Sequence, residues 1–287
     1  MSNRSRLLGR FGIVLILFAM ASSLGVAQTF TTIDFPGAAQ TTAFAINNLG
    51  NVVGIYTDTQ GMIHGFLLSG GTYTSIDVPN GTYTWAIGIN DSGEIVGSYL
   101  DPSTGIGLGY LLSGGTYTTI QYPGATATQL QGINNSGEIT GFFVPGTVPT
   151  GFKLVNGVFT TVSPTGSVSS ELFAVNTAGN AAGFSQRRQD KSLGFVAMPT
   201  GRLIKVSYPG AFFTTADGIN DANQVVGYFQ TSTSSAPVGY ELSAGSYSQI
   251  MFPGAYQTFA LGINNSRVVV GSYGINASVS HGFMMTP

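Results

Sequence analysis

The 287-residue chain has no cysteine, which excludes disulfides and thiolate metal sites. With 8% charged and 43% hydrophobic residues it folds rather than staying disordered, and its 41 glycines point to many tight turns. The length allows one large all-β domain or two small ones, and a net charge of −2 offers no basic face for nucleic acid.

The chain opens with Arg4, Arg6 and Arg10, an apolar run from Phe11 to Ala21, and the small residues Gly25-Val26-Ala27. This pattern predicts a secretory signal peptide over residues 1–27, with Gln28 the first mature residue. The alternative, an uncleaved membrane anchor, needs a longer apolar run than this one. The expected location is secreted or periplasmic, with no stable membrane insertion after cleavage. Losing the leader also removes three arginines, so acidic residues dominate the mature chain.

Residues 28–287 are one stretch repeated. Gly88-Ile89-Asn90-Asp91-Ser92-Gly93-Glu94-Ile95-Val96-Gly97 returns from Gly132 and from Gly218, and weaker copies start at Ala45, Ala174 and Gly262. The landmark asparagines Asn47, Asn90, Asn134, Asn176, Asn220 and Asn264 lie 42 to 44 residues apart. An upstream proline, from Pro36 to Pro253, and a Gly-aromatic pair, from Gly65-Phe66 to Gly282-Phe283, keep the same period.

Each period predicts four short strands, in the second copy 85–89, 94–100, 109–112 and 116–122. Asn90-Asp91-Ser92-Gly93 joins the first two, with Gly in the left-handed position. Asn223 takes that place in the fifth copy, and Arg267 in the sixth, where strain or a different turn is expected. Small residues such as Ala86 and Gly88 put the first strand innermost, where sheets converge. The fold class is therefore all-β: a six-bladed β-propeller of about 43-residue four-stranded repeats. The segment Phe30 to Phe35 lacks an earlier partner and Phe283-Met284-Met285 lacks a fourth strand, so the N-terminal strand is expected to close the ring in the last blade. A pair of three-repeat β-trefoils is the runner-up.

The units Gly-Ile-Asn-x-x-Gly-x-Val-Val-Gly and His64-Gly65-Phe66 resemble the bacterial HAF-repeat extracellular proteins, over roughly residues 30 to 287. Only His64 and His281 keep the histidine of the name. The resemblance implies secretion and a repeat architecture, and no established activity.

Candidate chemistry is sparse. His64 and His281 occupy equivalent positions and could form a metal or proton-transfer pair, but no recurring carboxylate is evident beside them in sequence, and a structural cap is the expected role. Asp91, Glu94, Glu138 and Asp221 near the turns supply too few oxygen ligands for calcium. Arg187, Arg188 and Lys191 form the one basic cluster, read as a solvated loop. No metal or cofactor is expected.

The invariant hydroxyls Thr41, Thr84, Thr128, Ser170, Thr214 and Thr258 read as structural, bonded to backbone. The position after each varies completely, and variable loops on a regular scaffold are where ligands bind. The candidate ligand-binding residues are Tyr83, Trp85, Gln129, Glu171, Phe213, Asp217, Tyr256, Gln257 and Phe259. Aromatic faces with amides and carboxylates suit an extracellular glycan or a protein partner. The leading expectation is non-catalytic recognition through this loop face. The alternatives are a hydrolase or lyase acting on extracellular polysaccharide through Glu171 and Asp217, and a structural matrix component.

Overall fold

The computed structural model describes residues 28–187, 192–233, 235–276 and 279–287. The expected signal peptide, and Arg188 and Lys191 of the basic loop, lie outside the described residues. Among those described, no helix is long and apolar enough to cross a membrane.

The fold is an all-β propeller. In the second repeat the strands are Thr82–Ile89, Ile95–Asp101, Ile106–Ser113 and Thr116–Ile120, paired antiparallel in chain order. The first, third and fourth repeats pair in the same order. A parallel bridge between Ala127 and Gly107 links the second and third sheets. In the fifth repeat the first strand is split into Phe213–Thr214 and Gly218–Ile219. The sixth contains Gln257–Ile263, Val269–Gly274 and His281–Thr286, and its fourth strand is Thr29–Ile33, which runs antiparallel to His281–Thr286.

The first strand is innermost because its small residues let neighbouring sheets meet. A Cβ added at Gly132 would lie 2.8 Å from the Ala174 Cα and 2.9 Å from the Phe173 carbonyl oxygen of the next repeat. Apolar clusters bridge adjacent repeats: Val53 packs with Ala86 and Ile89, and Val270 of the sixth repeat packs with Ile46 and Val52 of the first.

The landmark asparagines do more than start turns. Asn134 accepts bonds from the Ser136 and Glu138 amides, each 3.0 Å, which shapes its own turn. Its side-chain amide then donates to the Asn176 carbonyl of the next repeat at 2.9 Å. The same inter-repeat bond runs from Asn47 to Asn90, Asn90 to Asn134, Asn176 to Asn220, Asn220 to Asn264, and Asn264 to Asn47. All six asparagines are buried, so these bonds are made away from water, where an unmet amide costs most.

The hydroxyl series behaves as read from sequence. Thr41, Thr84, Thr128, Thr214 and Thr258 accept the amide hydrogens of Phe35, Val78, Tyr122, Tyr208 and Phe252. Ser170 accepts from the Gly151 amide instead and donates to the Val162 carbonyl.

At Arg267 the expected strain is present and the turn itself is unchanged, with the Arg267 amide bonded to the Asn264 carbonyl and φ at 61°. Its guanidinium is held by the buried Glu241 carboxylate at 2.9 and 3.1 Å, an anchor that offsets the left-handed backbone. The histidines do have recurring carboxylates: His64 Nδ1 is 2.8 Å from Asp77, and His281 Nδ1 is 2.9 Å from Asp34. Antiparallel pairing of third and fourth strands brings each aspartate beside its histidine. Each imidazole also stacks on a tyrosine, Tyr56 or Tyr273, so the two form separate caps.

Candidate functional site

A β-bulge in the first strand builds the site. In the third repeat the register shifts between Leu130 and Gly132, leaving Gln131 unpaired. Its counterparts are Phe44, Ile87, Phe173, Asp217 and Leu261, and all six line an axial cavity of about 200 Å³. A bulged residue has no ladder partner, so its side chain is free to turn to the axis. Below this ring the cavity wall is small residues and then Ile46, Ile89, Ile133, Val175, Ile219 and Ile263. At the far end, the asparagine turns form a second, polar concavity of about 80 Å³. There Asp91 accepts from Asn48 and Asn135, and Asp221 from Thr177 and Asn265. These bonds hold both carboxyls below the usual aspartate value against the opposing effect of burial. Both carboxylates thus serve as links between repeats.

The carboxyls with raised proton affinity lie at the opposite end. Asp217 keeps some surface, and that surface faces the cavity. Burial pushes its carboxyl up to about 7, the Thr215 hydroxyl that donates to it pulls it down, and the nearby charge of Glu171 pushes it up further. Glu171 is raised by burial as well. Tyr228 stands beside both: burial raises its phenol first, then the charges of Asp217 and Glu171. Thr215 is itself fixed, since its amide donates to the Tyr228 carbonyl at 3.0 Å and its carbonyl accepts from the buried Tyr240 hydroxyl. Gln131 donates to Gln129 at 3.4 Å.

Of the candidates read from sequence, Glu171, Asp217, Phe213 and Phe259 come together around Tyr228. The Tyr228 ring lies 5.6 Å from Phe213 and 4.8 Å from Phe259. Gln129 occupies the same ring of positions in the third repeat and joins through Gln131. Tyr256 is exposed at 53% on the rim, next to the half-buried Gln257. Tyr83 and Trp85 stack on one another at 6.3 Å in the second repeat, apart from the Tyr228 cluster, and Tyr83 takes φ of 50°. Sequence reasoning missed Gln131 and Tyr228, and it placed Thr215 in the variable ring without choosing it as a candidate. A signal for Gln131 was present: it and Asp217 are polar where the other copies carry Phe, Ile or Leu. Among the described residues no group of three or more His, Asp or Glu side chains is placed to hold a metal ion.

No protein-family model and no curated protein sequence matches the chain. Solved structures do resemble it. A catalytically inactive virginiamycin B lyase from Staphylococcus aureus, with quinupristin, is similar at 10% identity and a TM-score of 0.52, covering 91% of this chain and 100% of that one. AofleA from Arthrobotrys oligospora is similar at 11% identity and 0.51, covering 88% and 87%. TolB from Acinetobacter baumannii is similar at 11% identity and 0.52, covering 88% of this chain and 64% of that one. At such identities the likeness establishes the propeller fold alone.

Proposed function

We propose that this protein is a secreted, non-catalytic recognition propeller that binds an extracellular glycan or protein through the channel mouth around Glu171, Asp217 and Phe259. The observation that carries this reading is the clustering of the repeat's departures. Polar groups replace apolar ones at the bulge, and beside them the fifth and sixth repeats expose Phe212, Tyr256 and Ile275 at 43, 53 and 62%. Exposed aromatic surface beside enclosed carboxyl and amide groups suits stacking and hydrogen bonding to a sugar or a peptide. We also take the ring to have six blades, closed by the N-terminal strand. Supporting this are the pairing of Thr29–Ile33 with His281–Thr286 and the bond from Asn264 back to Asn47. The leader pattern and the HAF-repeat resemblance are the grounds for an extracellular location. Because a lyase, AofleA and TolB share the architecture, the fold selects no chemistry, and the site must.

The test is a glycan-array screen beside Tyr256→Ala and Glu171→Gln variants, followed by calorimetric titration of any glycan that binds. A glycan bound by the native protein and lost in both folded variants supports the reading. Binding that survives both variants moves the site elsewhere, and an empty array leaves envelope proteins as the ligands to try by pull-down against the same variants.

A second reading, a polysaccharide hydrolase or lyase, rests on Glu171 and Asp217. Two carboxyls with raised proton affinity can share general acid and general base roles. Turnover of a bound polysaccharide that is lost in Asp217→Asn while binding persists would favour it.

A further inference from the structure

The repeats share an aromatic set on the loop side, and one copy lacks it. In four copies the residue before the landmark proline stacks face to face on a second-strand aromatic: Phe35 on Tyr56, Tyr122 on Phe143, Tyr208 on Phe229 and Phe252 on Tyr273, at 3.5 to 3.7 Å. A fourth-strand ring, such as Tyr73 or Tyr247, packs edge-on to the pair. In the second copy Val78 and Tyr99 hold the two places. In the fourth copy they are Ser163 and Ser185, and the fourth-strand ring becomes Leu203.

Removing these rings opens a cavity of about 330 Å³, with Leu193, Phe195 and Leu203 on its walls. Phe195 matches the third-strand aromatic that touches the stacked pair in the other copies, at 6.3 Å between Phe35 and Phe66. Ser185 lines the cavity with 3% exposure. Arg187 and Lys205 also line it, are exposed, and make no ion pair among the described residues.

We infer that this slot is a binding site for a small planar aromatic carboxylate. The ring takes the place that two side chains fill elsewhere, against Phe195 and Leu203, where aromatic packing and apolar burial favour a flat ligand. The carboxylate faces Arg187 and Lys205, and charge-assisted hydrogen bonds to these groups set its orientation. The site is separate from the channel mouth and stands whether or not the mouth binds a glycan.

Phenylacetate is the probe, titrated into the isotope-labelled protein and followed by amide NMR shifts. Saturable shifts are expected at Gly194, Phe195 and Leu203, with the channel-mouth amides unmoved. The double substitution Ser163→Phe with Ser185→Tyr restores the repeat's own stack and should weaken binding at least tenfold. Lys205→Ala with Arg187→Ala, on exposed positions that leave the fold intact, should do the same, as should replacing the probe by uncharged benzyl alcohol. Absence of saturable shifts up to about 10 mM, the range expected of so small a ligand, overturns the inference. So does a native affinity in the Arg187 and Lys205 variant.

Discussion

Asp217 is the residue whose replacement tests the site most directly. Its carboxyl sits at about 7 against an ordinary 3.8, so the folded state favours the neutral acid. The sign follows from linkage: the contribution of the group to stability is complete below 3.8 and is lost as pH rises to about 7. At pH 8 ionising Asp217 costs the fold about 4 kcal/mol, and at pH 5 already roughly 1 to 2 kcal/mol. With an unfolding entropy of about 2.1 cal/mol/K per residue over about 260 residues, the remaining two to three kcal/mol, roughly, corresponds to about 5 °C in Tm. Asp217→Asn keeps the shape and removes the titration. Scanning calorimetry between pH 5 and 8 should show the native Tm falling about 5 °C relative to the variant. Parallel profiles would refute the reasoning, because they would mean that water solvates the carboxyl and that it titrates normally.

Three further outcomes follow from the packing. Asn134→Ala removes two turn bonds and the bond to Asn176. It should cost about 2–4 kcal/mol in denaturant unfolding, and a loss below 1 kcal/mol would reduce the asparagine series to turn chemistry. Arg267→Gly relaxes the left-handed backbone but leaves the buried Glu241 carboxylate without its cation, held by the Gln224 amide, so Tm at pH 7 should fall, by about 2 kcal/mol equivalent once the two effects are set against each other. A rise in Tm would show that backbone strain outweighs the ion pair. A chain beginning at Thr41 loses the partner of His281–Thr286 and the buried Ile33, and should unfold with lower cooperativity. An unchanged thermal transition would remove the N-terminal strand from the closure argument.

Much of the scaffold was legible because each signal is local and repeats. The period, the strand order within a copy, the turns and the hydroxyl bonds from Thr41 to Thr258 all involve residues a few positions apart or directly paired. The small residues of the first strand also pointed correctly to close approach at the axis, since a missing side chain is itself a packing statement.

What the sequence could not convey are contacts between copies and the direction of unpaired side chains. Asn134 looks the same in sequence whether its amide meets water or the carbonyl of Asn176, because only the closeness of neighbouring repeats supplies that acceptor. His64 and Asp77 are 13 residues apart and meet only once third and fourth strands pair. The bulge decides that Asp217 and Gln131 face the cavity, and enclosure by neighbouring repeats then raises Asp217 while leaving it beside Glu171 and Tyr228. The slot at Phe195 was visible in sequence only as three substitutions among ordinary variation. They read as one missing aromatic set once the other copies show, in three dimensions, which rings touch.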